Sequence, residues 1–354
     1  VGTRRAALGR GLAALGRGVA ALGRGVAAPS RRFGALGRRL VALIVAVLAL
    51  AALPASGAAA LIVGIGDQRP GMFTDPRFEA LGVHSARLSI AWNALSSPRL
   101  ARELGTWMRA ARADRVAPLV SFEHSQVRGQ RKALPSVAQF ARQFARLHAR
   151  YPWVSDFATW NEANYCGEPT CHRPALVAAY YRQMQRICPR CRVLAAELLD
   201  EPNMVAWAHS FEHALHRPAG IWGLHDYLGA NRLQTSSTRA LLAATRGQIW
   251  LTEVGGLVER RHRGHGFVES PAHAAQVLRF VFRHLVPLSP RITRVYVYEW
   301  SAGRARNALW DSGLIGPNNH PRPALGVLVQ ELSALGQLPR TAAARRLLAS
   351  LPSR

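Results

Sequence analysis

The chain has 354 residues, 46 of them basic and 20 acidic, for a formal net charge of +26. That length buries one large core or two ordinary ones. Lys132 is the one lysine, and nine arginines precede residue 40, where no acid occurs. A basic balance admits an anionic polymer, a nucleic acid or an acidic membrane as neighbour. No zinc finger and no aromatic RNA-binding strand accompanies it, so the usual nucleic-acid binders are set aside.

Residues 6–26 repeat a seven-residue unit with two glycines each. Each glycine costs a helix about 1 kcal/mol relative to Ala, so the repeat reads as low complexity rather than coiled coil. Arg31, Arg32, Arg38 and Arg39 then precede an uncharged apolar run over 40–53 and small residues to 60. That order is a secretory signal peptide. A retained anchor is the rival, since apolar character resumes at Leu61 and a span needs about 20 residues. Both put the folded body outside the cytoplasm, secreted or at the cell surface, and only the uncleaved form touches a membrane. The expected organisation is therefore a basic segment 1–39, a signal or anchor 40–60, a folded body 61–334 and a mobile basic tail 335–354.

From residue 61 the chain alternates apolar runs with amphipathic ones. Strands are expected over 61–66, 85–92, 117–124, 154–160, 192–198, 221–227, 249–253 and 292–300. Helices are expected over 75–81, 98–114, from 136, then 175–187, 204–215, 238–244, 272–285 and 323–332. In the third of these, Val137, Phe140, Phe144 and Leu147 share one face, with Ser136 as N-cap. Eight strand–helix repeats in about 270 residues is the count of a single (β/α)8 barrel, the TIM-barrel form of the α/β class. An open doubly wound sheet would show a Gly-rich phosphate turn after its first strand, and Gly64-Ile65-Gly66-Asp67 does not complete one.

Four cysteines suit an oxidising compartment. Cys166 and Cys171 share a loop, and Cys188 and Cys191 lie beyond the next helix. About 14 helical residues span about 20 Å, so pairing is expected within each couple, and one zinc site using all four is excluded. Cys188-Pro189-Arg190-Cys191 has redox-motif spacing, but no thioredoxin-like context surrounds it.

Polar residues gather where the strands end: Arg87 and Trp92-Asn93, Glu123-His124, Asn161-Glu162, His225-Asp226-Tyr227, Glu253, and Glu299-Trp300. In a barrel of parallel strands that rim carries the chemistry. Alone, His124 reads as a core histidine, Arg87 as the partner of a buried acid, and Trp300 as packing. Their coincidence on one rim is the signal.

In this respect the chain resembles the retaining glycoside hydrolases of the (β/α)8-barrel clan that includes cellulase-, mannanase- and xylosidase-like enzymes. The resemblance rests on Arg87, His124, Asn161-Glu162, His225-x-Tyr227, Glu253 and Trp300, in order, and covers residues 61–332. Ala163 departs from it, because many members have Pro there. The resemblance implies hydrolysis of a carbohydrate, anionic or cell-surface polysaccharide included, with Glu162 as acid/base and Glu253 as nucleophile. Arg87 and Tyr227 would support Glu253, and Asn161 would bind the sugar 2-hydroxyl. His124 and His225 would complete the wall, with Trp300 and Trp92 stacking on a pyranose. A monomer without metal or cofactor is expected. Two rival readings are a metal-dependent barrel hydrolase using His124, His225 and Glu123, and a sugar-binding barrel without catalysis.

Overall fold

The computed structural model describes residues 60–260, 266–303 and 310–350. The repeat and most of the signal or anchor segment lie outside the described residues. The strands, in chain order, are β1 (Ile62–Gly66), β2 (Ser85–Ala91), β3 (Ala117–Glu123), β4 (Asp156–Ala158), β5 (Arg192–Leu194), β6 (Glu197–Leu199), β7 (Ile221–His225), β8 (Gln248–Val254), β9 (Glu259–Arg260), β10 (Ile292–Tyr298) and β11 (Trp310–Asp311). The helices are α1 (Pro76–Leu81), α2 (Pro98–Ala113), α3 (Val137–Arg150), α4 (Pro174–Ile187), α5 (Met204–Leu215), α6 (Leu228–Asn231), α7 (Ser236–Ala244), α8 (Pro271–Phe280), α9 (Pro323–Ala334) and α10 (Ala342–Ser350).

Nine strands pair in the order β5-β4-β3-β2-β1-β10-β8-β7-β6, all parallel. β5 and β6 are halves of one stave interrupted at Ala195-Ala196. The Ala195 N–H donates to the Ile221 carbonyl and the Gly223 N–H to the Ala196 carbonyl, each at 2.9 Å. These bonds tie the β5–β6 stave to β7, and with β1 paired to β10 they close an eight-stave barrel. β9 and β11 form a separate antiparallel ribbon.

Local chemistry sets these boundaries. Pro stands first in α1, α2, α4, α8 and α9, where its missing N–H costs nothing. Ser136 and Gln139 form a full capping box on α3. α1 stops at Gly82, which has φ 63° and lies so close to Pro339 that a Cβ would fall 2.2 Å from its ring.

Strands covered on both faces must be apolar throughout, and β2 is buried at six of its seven positions. Outward-facing side chains join the helices in the main core. Inside the barrel, Leu119, Ala158, Leu194, Trp250 and Tyr296 form a second cluster. Below it, at the end where the strands begin, Asp156 accepts from Arg294 at 2.7 Å, and the Arg294 guanidinium lies 3.8 Å over the Trp250 ring.

The tail expected to be mobile is instead partly folded. Gln337 Nε2 donates to the Leu61 carbonyl at 2.6 Å, and α10 buries Ala344 and Leu347. Ala344 and Leu347 are three apart on one helical face, a short apolar stripe hidden in a basic composition. Lys132 is exposed in the loop between β3 and α3. Among the described residues no helix is long and apolar enough to cross a membrane.

Candidate active site

At the strand-end face the segments that follow β4, β6, β7, β8 and β10 converge on a cleft of about 420 Å³, lined by Glu162, Tyr165, Tyr227, Glu253, Tyr298, Trp310 and others. Glu162 follows β4 by four residues with φ 45°, a left-handed conformation that costs a non-glycine residue about 1 kcal/mol or more. Its neighbours hold it there. The Asn161 N–H donates to the Phe122 carbonyl at 2.6 Å and the Ala163 N–H to the Glu197 carbonyl at 2.9 Å. A proline at 163 would lack that donor, which gives the departure at Ala163 a local reason. One residue on, fully buried Asn164 exchanges two hydrogen bonds with Leu199, at 2.9 and 2.8 Å.

Glu253 arrives by a different device. The register between β7 and β8 slips after Leu224–Leu251, so that His225 pairs with Glu253. The extra residue, Thr252, is a bulge, and bulges re-aim side chains beside functional sites. Carboxylate oxygens of Glu162 and Glu253 and a nitrogen of His225 all lie within 4.8 Å of one another.

Arg87, buried on β2, organises the acids. It donates to both oxygens of Glu197 at 2.7 and 2.6 Å, to Asn161 Oδ1 at 2.7 Å, and to Glu253 through Nη1. Tyr227 donates its hydroxyl to Glu253 at 3.1 Å. Burial, then the nearby Glu253 charge, pushes the Tyr227 phenol far above its usual range, so it remains a donor. His225 Nδ1 lies 3.2 Å from Glu162 and 3.6 Å from Glu253, and Nε2 lies 3.7 Å from Glu197. Its burial disfavours charge, but Glu253, Glu162 and Glu197 outweigh this and push it up to about 9. At neutral pH the site therefore holds two cations, Arg87 and His225, among three glutamates.

The structure thus brings together Arg87, Asn161, Glu162, His225, Tyr227 and Glu253. It places three expected residues elsewhere. His124 lies past the end of β3 and turns to the following loops. Its Nδ1 meets Glu168 at 2.5 Å and its Nε2 meets Arg131 at 2.9 Å. Trp300 is buried away from the cleft, edge-on to Phe78 and donating to Asp75 at 3.2 Å. β10 ends at Tyr298, so Tyr298 takes the cleft wall and the chain has turned outward by 300. Trp92 packs against the main core and does not line the cleft. Glu299 leaves the cleft as well and pairs with Arg69 at 2.8 Å.

Two residues were not anticipated. Glu197 sits in an apolar run, Ala195-Ala196-Glu197-Leu198-Leu199, and a lone acid there is the signal that pairs with a lone Arg on β2. Glu168 accepts from both His124 and the Trp160 indole, at 3.0 Å for the latter, inside the loop closed by Cys166–Cys171. Cys188 and Cys191 are also bridged, and no cysteine is free.

A metal hydrolase would need His124 and His225 in one donor set. Among the described residues, the histidine, cysteine and acid groups close enough to share an ion include His225 with Glu162 and Glu253, and none includes His124.

No protein-family model matches this sequence, and no curated protein does. Solved structures that share the fold include glycoside hydrolases. They include a family 39 glycoside hydrolase from the gut symbiont Bacteroides cellulosilyticus WH2 (TM-score 0.51, 14% identity, covering 79% of this chain and 64% of that one). Native xylanase 10B from Thermotoga maritima aligns with TM-score 0.56 and 11% identity over 78% of this chain and 95% of that one. A glucosidase from Croceicoccus marinus aligns with TM-score 0.59 and 14% identity over 78% and 68%. The chain therefore spans just under two thirds of the family 39 protein. At these identities the likeness establishes the (β/α)8 barrel, and function must be argued from the site.

Proposed function

We propose that this protein is a retaining glycoside hydrolase acting outside the cytoplasm on a poly- or oligosaccharide. The observation that carries the reading is the pair Glu162 and Glu253, with oxygens within 4.8 Å across one cleft. Retaining enzymes hold their two carboxyl groups about 5 Å apart, too close for a water between the second carboxylate and the sugar. Glu253 attacks the anomeric carbon as Glu162 gives its proton to the departing oxygen, which leaves a glycosyl ester on Glu253. Glu162 then takes a proton from water, whose oxygen displaces Glu253. Arg87 and Tyr227 bind the carboxylate that leaves, and the His225 Nδ1–H is placed to steady Glu162 as a base. Asn161, fixed by Arg87, faces the sugar 2-hydroxyl. Tyr298 and Trp310 offer the apolar faces that a pyranose stacks on. The two disulfides support an oxidising compartment.

A panel of aryl glycosides tests the reading. The wild type should turn over at least one, and Glu253→Ala should lose at least about 10⁴-fold in kcat while remaining folded. A 2-fluoroglycoside should label Glu253 alone. Labelling of Glu299, or sugar binding without turnover anywhere on the panel, would overturn the assignment.

A further inference from the structure

The turn after α4 holds chemistry that hydrolysis does not use. Cys188 caps α4, and the Cys191 N–H donates to the Cys188 carbonyl at 3.1 Å. This closes the Cys188-Pro189-Arg190-Cys191 turn with its two Cα atoms 5.3 Å apart and the sulfurs bonded. His148, near the C-terminal end of α3, brings a ring nitrogen that lies with both sulfurs inside 4.8 Å. The ring is held in place, parallel to Phe144 at 6.2 Å and edge-on to Phe157 at 6.3 Å. Its Nδ1 is buried and has no hydrogen-bond partner, so the ring carries an unmet polar group beside the turn. Phe140 of α3 stacks on Tyr180 of α4 at 4.3 Å, so histidine and turn belong to one packed wall.

We propose that, once the Cys188–Cys191 disulfide is reduced, His148, Cys188 and Cys191 bind a zinc-class divalent cation. The protein would then exchange a covalent staple for a metal one. Two thiolates at C-x-x-C spacing with one imidazole form the soft donor set that zinc prefers, with water in the fourth place. Reduction by a phosphine and water puts two electrons and two protons on the sulfurs and leaves the phosphine as its oxide. The cation then displaces both thiol protons. The sulfurs must open to about 3.8 Å, the edge of a tetrahedron with 2.3 Å bonds, which the turn accommodates at its present Cα spacing. α3 and α4 end where β4 and β5 begin, opposite Glu162 and Glu253. The cation therefore bears on stability and not on hydrolysis, and its test does not depend on the proposed activity.

The experiment uses the full chain without an affinity tag. It carries Cys166→Ser and Cys171→Ser, because those cysteines and His172 form a second close group. Cobalt(II) is titrated into phosphine-reduced and oxidised protein, and zinc is then used to displace it. Reduced protein should show a thiolate-to-cobalt charge-transfer band saturating at one equivalent, and oxidised protein none. His148→Phe and His148→Gln, each checked for folding by circular dichroism, should weaken binding at least tenfold. Cys188→Ser with Cys191→Ser should abolish it. Zinc should raise the melting temperature of the reduced chain. No thiolate band after reduction, or unchanged affinity in the folded His148 variants, would overturn the proposal.

Discussion

Replacing Glu197 with Gln tests how the site is held together. Glu197 is fully buried. Its oxygens accept from Arg87 at 2.7 and 2.6 Å and from Ser121 at 2.5 Å. Burial alone would raise its pKa, but Arg87, with help from His225, holds the carboxyl well below the usual carboxylate range. Gln keeps the shape, removes the charge, and turns an amide N–H₂ toward a donor. Removing one partner of a buried ion pair costs about 3–5 kcal/mol, because the other charge remains buried. Arg87 keeps Glu253 and Asn161, so the low end, about 3 kcal/mol, is expected. Against a total of about 5–15 kcal/mol, that is a large shift in urea midpoint. The depressed carboxyl stabilises the fold above its unfolded pKa near 4.5, and this stability is lost as pH falls below that value. The gap between wild type and variant should therefore be full at pH 7 and shrink in acid. Equilibrium urea unfolding at stepped pH measures it. A gap under about 1 kcal/mol at pH 7 would refute the reasoning, since it would mean that Arg87 does not need this charge.

His225 predicts a slope on the alkaline side. A histidine raised to about 9 stabilises the fold fully below its unfolded value of 6.5, and that contribution is lost as pH rises through 9. Thermal melts between pH 6.5 and 9 should fall less steeply for His225→Gln than for wild type, and parallel curves would rule the shift out. At the end of β10, Trp300→Leu should cost about 3 kcal/mol of stability through the cavity it leaves, with KM for a cleaved glycoside unchanged. Tyr298→Leu should show the opposite pattern, and a KM effect from Trp300 would restore it to the cleft.

The eight staves were legible because each is a short apolar run closed by a polar residue, and the barrel buries both faces of every strand. Arg87, Asn161, Glu162, His225, Tyr227 and Glu253 were legible for the same reason, as polar residues at the places where those runs stop. Errors arose where a run outlasted its strand. The pattern around Tyr298-Glu299-Trp300 continues, yet hydrogen bonding ends at Tyr298, and Trp300 turns toward Phe78 and Asp75. His124 fails likewise, one residue beyond Glu123. Glu197 was hidden because its meaning lies 110 residues away in Arg87, and no local period records such a pair. In the last stretch, a basic composition masked the stripe of Ala344 and Leu347.

Lys132 gives the molecule a single side-chain amine, exposed in the β3–α3 loop on the same face as the cleft. Its neighbour Arg131 reaches His124, and through it Glu168 and the loop behind Glu162. An amine-reactive dye or resin therefore meets one lysine, and meets it at the mouth of the barrel. A fluorophore placed there needs no introduced cysteine, which would disturb the two native bridges, and on the proposed function it would serve to test whether a carbohydrate enters the cleft. For the same reason, coupling to a solid support through that amine would turn the mouth toward the support, so immobilisation calls for another attachment point.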